Sequence, residues 1–254
     1  MQTQIGSAWL RRFGRAAVRG ATPLVICPHA GGGAAAYRPL AAAIEEAAQG
    51  AVDVIALQYP GRQDRIADPA PETIGGYADG ALAELRSLLC DGPAPILFGH
   101  SMGSMVAFEL ARRLEEEGVA VGRLFVSGAV APSRVADLPP HPTDDEGMVR
   151  HLAALRGTGG DVLGHPDIMR LALPALRADY AAFDRYETAG EAPLAAPISA
   201  FGGEDDEHVT PGDLFGWSGH TCGGCDVRLF PGGHFYIDDR VGAVAAAIVG
   251  LVRP

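Results

Sequence analysis

A serine, a carboxylate and a histidine, met in that order along a chain, can perform nucleophilic acyl transfer: the imidazole takes the hydroxyl proton and the carboxylate orients the imidazole. The serine candidate lies in Gly99-His100-Ser101-Met102-Gly103, between the apolar run Pro95-Ile96-Leu97-Phe98 and the helix-like stretch Ser104 to Ala111. A G-x-S-x-G segment in that setting forms a sharp turn that holds Oγ exposed at the top of a sheet. Its two glycines are needed because the turn leaves no room for a Cβ on either side.

Eight histidines compete for the role of base. A triad on a strand–turn–helix scaffold runs Ser, Asp, His along the chain. Only His208, His220 and His234 follow the adjacent acids Asp205 and Asp206, which end the strand-like Pro197 to Phe201. His234 alone directly follows a predicted strand, Val227 to Phe230, in the glycine-opened loop Pro231-Gly232-Gly233-His234-Phe235-Tyr236, and it is the expected base. Asp206 stands three residues after Gly203 and three before Val209, the spacing of a turn that aims a carboxylate inward, so it is preferred over Asp205. His100 is expected to pack inside the elbow, whereas His141, His151 and His165 are expected to face solvent.

Stabilising the tetrahedral oxyanion takes two backbone donors, one from the residue after the nucleophile and one from the loop after an earlier strand. Those donors are assigned to Met102 and to Ala30, the latter in Pro28-His29-Ala30-Gly31-Gly32-Gly33 after Leu24-Val25-Ile26-Cys27. Neither a G-K-[ST] ending nor a complete G-x-G-x-x-G occurs there, which argues against a phosphate cradle.

The elements around these residues alternate strand and helix. Val52 to Leu57 reads as a strand that empties into Tyr59-Pro60-Gly61-Arg62-Gln63-Asp64-Arg65, and Ile74 to Leu89 carries apolar residues at helical spacing. Arg123 to Gly128 is another strand, and Val241 to Val252 a closing apolar-faced helix. Between them the pattern changes: Pro132 to Tyr186 holds prolines, the acidic patch Asp144-Asp145-Glu146 and two amphipathic helical patterns. The expected architecture is one α/β domain over residues 1–254. It is an α/β-hydrolase fold with a mostly parallel central sheet, helices on both faces and a helical lid insertion at approximately 132–190.

Lys and Arg total 20 against 31 Asp and Glu, a net charge of −11, which repels a phosphate backbone and argues against nucleic acid. No apolar stretch has the length of a signal peptide or a membrane span, so a soluble, cytoplasmic protein is expected, with no membrane partner. Four cysteines are too few for a disulfide scaffold; Cys27 and Cys90 sit in or beside apolar runs. His220-Thr221-Cys222-Gly223-Gly224-Cys225 lacks a second ligand pair nearby, so no metal is expected and a surface loop is the simpler reading.

Taken together, Trp9-Leu10-Arg11-Arg12-Phe13, Pro28 to Gly32, Tyr59-Pro60-Gly61-Arg62, Gly99 to Gly103, Leu173-Pro174-Ala175-Leu176-Arg177-Ala178-Asp179-Tyr180 and Pro231 to Phe235 resemble the type II thioesterases that serve polyketide and nonribosomal peptide synthetases. The resemblance implies hydrolysis of stalled or wrongly loaded acyl groups from the phosphopantetheine arm of acyl or peptidyl carrier proteins. No cofactor of the enzyme's own is implied, and a monomer is expected. Because carrier proteins of this kind are acidic like this chain, docking is expected to use local cations: Arg62, Arg65 or the N-terminal Arg11, Arg12, Arg15 and Arg19, with His29 near the substrate. The rival readings are a small-molecule carboxylesterase or lipase on the same triad, and a non-catalytic interaction protein of the same fold.

Overall fold

The computed structural model describes residues 8–14, 18, 20–89, 92–156, 166–188 and 192–252; Arg15, Arg19, Cys90 and His165 lie outside them. The strands are Leu10–Arg11 (β1), Thr22–Cys27 (β2), Val52–Leu57 (β3), Ile96–His100 (β4), Arg123–Ser127 (β5), Ile198–Gly203 (β6) and Cys225–Phe230 (β7). They form one sheet in the order β1-β3-β2-β4-β5-β6-β7. All neighbours are parallel except β1, which runs antiparallel to β3. β1 was not foreseen from the sequence. Two residues are too few for an alternating pattern, and the strand is held by neighbours distant in the chain: Gln58 N donates to Trp9 O at 2.7 Å, and Arg12 grips Asp53.

The inner strands are continuous apolar runs because both faces of the sheet are covered. Val25 and Cys27 of β2 turn toward one core and Leu24 and Ile26 toward the other. The first core is filled by the helices Ile74–Leu89 (α2) and Met102–Glu116 (α3), and the second by Arg38–Ala48 (α1) and the C-terminal helix Val241–Val252. Leu97 and Phe98 follow one another on β4 and enter opposite cores, both fully buried; truncating either to Ala is expected to cost about 2–5 kcal/mol.

Between β5 and β6 the chain leaves the sheet. A 3₁₀ turn, Pro132–Asp137, leads to Asp145–Arg156 (α4) and Pro166–Asp184 (α5), helices that the sequence placed within the insertion. Met148 of α4 meets Met169, Leu173, Leu176 and Tyr180 of α5 in a cluster of its own, and Ala30 packs against it from below. Two short helices, Pro211–Phe215 (α6) and Tyr236–Asp239 (α7), follow β6 and β7, so the C-terminal helix is α8. No described helix is long and apolar enough to cross a membrane.

Candidate active site

The turn from β4 into α3 is tight enough to dictate its sequence. A Cβ on Gly99 would lie 2.2 Å from Gly103 O, and one on Gly103 would lie 2.0 Å from Cys27 O. Ser101, between them, is held at φ 54° and ψ −125°, a conformation L-residues rarely adopt. Its N–H donates to Ser127 O at 2.7 Å. Ser104, one turn into α3, places its hydroxyl 3.0 Å from Gly99 O and 3.2 Å from Ser127 O, and accepts from Ser127 N at 3.1 Å. Ser104 and Ser127 thereby tie the elbow to the neighbouring strand. Neither was picked out in the sequence, where both read as ordinary small residues beside apolar runs. His100 packs inside the elbow as expected, with Nδ1 2.9 Å from Ser127 Oγ, which in turn lies 2.6 Å from Tyr236 Oη.

The loops leaving β6 and β7 are pressed together. A Cβ on Gly203 would fall 2.3 Å from Gly233 O, so only glycine lets the two backbones meet. Asp206 and His234 are brought into contact here: Asp206 Oδ2 lies 2.8 Å from His234 Nδ1, while Oδ1 accepts from His208 N at 2.9 Å and Val209 N at 3.2 Å. Burial opposes ionisation of Asp206. The hydrogen bond and charge of His234 and the two N–H donors outweigh it, and the carboxyl lies below its ordinary range. Asp205 is exposed, and its N–H donates to Gly232 O, so it serves the loop and not the imidazole. With Nδ1–H directed at a carboxylate, the lone pair of His234 is on Nε2. Nε2 is buried and has no partner among the described residues.

In the loop after β2, His29 N donates to Tyr37 Oη at 3.0 Å, Gly31 N to Asp179 Oδ2 at 2.7 Å and Gly32 N to His29 O at 3.0 Å. The Ala30 N–H between them makes no hydrogen bond among the described residues. Met102 is the first residue of α3, where N–H groups have no acceptor within the helix.

Ser101, Ala30, His29 and His234 line one cavity of about 510 Å³, within the usual range of small-ligand pockets. The insertion supplies its other side: Leu138, Pro139, Pro140, Leu152, Leu155 and Phe183 give an apolar surface, joined by His141, His151 and Tyr180. Glu207 and His208 add polar groups. The expectation that His141 and His151 face solvent is therefore corrected. His141 stacks on Tyr180 with ring centroids 4.0 Å apart, and its Nδ1 lies 2.5 Å from Asp184 Oδ1. His151 sits edge-on to both His141 and Tyr180. Tyr180 and Asp184 lie one helical turn apart on α5 and form a shelf for a histidine some forty residues earlier. That is a long-range match without a local sequence signal.

The cations fare differently. Arg62 is buried, its Nη2 2.7 Å from both carboxylate oxygens of Asp179, so it offers no exposed charge to a carrier. Arg65 is also largely enclosed: Nε pairs with Asp68 at 2.8 Å, Nη1 donates to Gln58 O at 3.0 Å, and the guanidinium lies over the Trp9 ring. Arg11 and Arg12 pair with Asp64 and Asp53. Charges that looked free in the sequence are thus used to hold loops and β1 in place. His29 remains at the cavity, its ring edge-on to Phe235 at 4.9 Å. Among the described residues no three His, Cys, Asp or Glu side chains converge to hold a metal ion.

A mostly parallel sheet with a strained serine on the β4 elbow and an Asp–His pair in the loops after β6 and β7 defines an α/β-hydrolase fold. Residues 22–250 match the thioesterase domain family, and the chain belongs to it. It is 39% identical over 246 residues to a probable cadicidin biosynthesis thioesterase of Streptomyces griseus, covering 97% of this chain and 66% of that protein. Thioesterase PikA5 of Streptomyces venezuelae is 38% identical over 233 residues, 91% of this chain and 81% of its own length. The solved structure of BorB, the type II thioesterase from the borrelidin biosynthetic cluster, superposes with a TM-score of 0.85 at 40% identity, covering 96% of this chain and 98% of that one.

Proposed function

We propose that the protein is a stand-alone editing thioesterase that hydrolyses aberrant or stalled acyl groups from the phosphopantetheine arms of acyl or peptidyl carrier proteins. Membership of the thioesterase family supports the reaction class, and the likeness to a type II thioesterase from a biosynthetic cluster supports the stand-alone role. The observation that carries the chemistry is the His234 imidazole, held at Nδ1 by Asp206, with a buried Nε2 that has no partner among the described residues, in a residue that shares one cavity with Ser101.

Nε2 of His234 takes the Ser101 proton as Oγ attacks the thioester carbonyl carbon. The carbonyl oxygen becomes an oxyanion facing the Ala30 and Met102 N–H groups, each such donor contributing about 3–4 kcal/mol to the transition state. Collapse breaks the C–S bond. A thiol with a pKa near ~8.5 departs with little acid assistance and takes up the proton held by His234, which restores the neutral imidazole, so recognition and not leaving-group chemistry sets selectivity. Water then adds to the acyl-enzyme, giving its proton to His234, and the acid is released as Ser101 recovers its hydroxyl. The apolar surface of the insertion receives the acyl chain.

Acyl-carrier protein and a matched short acyl thioester provide the test. Ser101→Ala should abolish both turnovers, and the wild-type protein should hydrolyse thioesters faster than matched oxygen esters. Turnover retained in Ser101→Ala overturns the assignment; a strong preference for oxygen esters makes the protein a carboxylesterase, and wild-type protein inert to all of them makes it a binding module.

A further inference from the structure

Asp179 belongs to α5 in the insertion, yet the hydrogen-bond partners of its side chain among the described residues, Gly31, Arg62 and Tyr77, lie in the body of the protein. Its carboxylate is fully buried. Oδ2 accepts the Gly31 N–H at 2.7 Å, Arg62 Nη2 lies 2.7 Å from both oxygens, and the Tyr77 hydroxyl donates to Oδ1. One turn earlier on α5, Leu176 packs against Gly31, which sits at φ 73°; a Cβ there would lie 3.2 Å from Leu176 Cδ1.

A buried ion pair is a poor way to gain stability, because desolvation consumes most of the attraction and apolar side chains of similar volume do as well or better. This pair is wasteful even by that standard: Arg62 Nε and Nη1 are buried without partners among the described residues. What the pair supplies is direction. Ala30 lies between two pinned amides, His29 N–H fixed on Tyr37 Oη at 3.0 Å and Gly31 N–H fixed on Asp179. Holding both neighbours leaves the intervening peptide little freedom.

We infer that Asp179 is a positioning residue that orients the Ala30 N–H toward the cavity, so that the oxyanion site is assembled only when α5 is seated on the loop after β2. The inference rests on the proposed role of Ala30 as an oxyanion donor. It makes part of the insertion a component of the reaction centre and not merely its cover.

The test uses Asp179→Leu combined with Arg62→Met, which removes the Gly31 acceptor without stranding a buried charge. Active sites are counted by titration to completion with a serine-directed phosphonate. On a short acyl thioester, kcat per titrated site should fall about 30-fold or more, approaching the loss of one oxyanion donor, with KM changed less than about 2-fold. Affinity for a trifluoromethyl ketone, which adds to Ser101 as a tetrahedral oxyanion, should fall by the same factor as kcat/KM. If that double variant does not fold, Tyr77→Phe, which removes one of the donors to Asp179, should lower kcat about 3-fold at constant KM with a parallel loss of ketone affinity. Wild-type kcat per titrated site and wild-type ketone affinity overturn the positioning role. Those outcomes leave the catalytic reading intact so long as Ser101→Ala is inactive; an active Ser101→Ala is the separate result that removes it.

Discussion

Asp206 and His234 meet at 2.8 Å across two loops that leave neighbouring parallel strands, and that contact is possible because Gly203 has no Cβ to strike the Gly233 carbonyl. The carboxylate is held independently of the imidazole, since His208 N and Val209 N donate to its other oxygen, Oδ1. Asp206 therefore sets both the tautomer and the orientation of the ring.

Asp206→Asn should keep the loop shape and lose the tautomer, lowering kcat about 10⁴-fold with little change in thermal stability. Asp205→Asn, in an exposed side chain, should leave kcat within about 2-fold. Steady-state kinetics of the two single variants check the assignment, and reversed effects would move the acid to Asp205.

Ser101 is held at a positive φ that glycine adopts freely. Ser101→Gly should thus be inactive yet more stable than the wild-type chain by about 1 kcal/mol, drawn from strain of order 1–3 kcal/mol. Gly103→Ala, whose new methyl would meet the Cys27 carbonyl, should instead lose several kcal/mol or fail to fold. Denaturant unfolding of both variants measures the contrast.

Arg62→Glu places a second negative charge beside the buried Asp179 and should cost about 3–5 kcal/mol or prevent folding. Arg65→Ala, at a pair whose Asp68 partner is half-exposed, should cost only about 1 kcal/mol. If Arg62→Glu folds normally and raises KM for the acyl-carrier protein alone, the guanidinium is a docking group after all.

Burial, then the neighbouring His141, His208 and His234, press the His151 imidazole down from 6.5 to about 4, with Asp184 pulling the other way. Between those values the unfolded chain carries a proton that the folded chain does not, so stability drops as the pH falls from 6.5 toward 4. His151→Gln should flatten the dependence of Tm on pH across that window. An unchanged slope would mean that the imidazole is protonated in the folded protein.

The sequence made legible what is local. The Gly99 to Gly103 elbow and the choice of Asp206 by its distance from Gly203 and Val209 rest on spacings of a few residues, and the structure has a tight turn at the first and an Asp206–His234 contact at the second. What could not be read was pairing across the chain. Arg62 looked like a solvated charge because its partner lies 117 residues away, and His141 and His151 looked exposed because the shelf that receives them is built by Tyr180 and Asp184. Sequence distinguishes a free cation from a neutralised one only when the counter-charge is nearby, as Asp68 is for Arg65; for Arg11, Arg12 and Arg62 it lies forty residues or more away.

The two margins of the sheet differ in how they discourage a second chain from adding on. β3 is closed by the antiparallel β1, with Arg12 bridging to Asp53, whereas β7 is left open and carries the outward charges Asp226 and Arg228 along its length. An incoming strand would have to strip water from both of those charged side chains to register on β7. Polymer growth by strand addition is thereby blocked by a strand of the same chain at one margin and by charge desolvation at the other, and loss of the first dozen residues would remove the former safeguard.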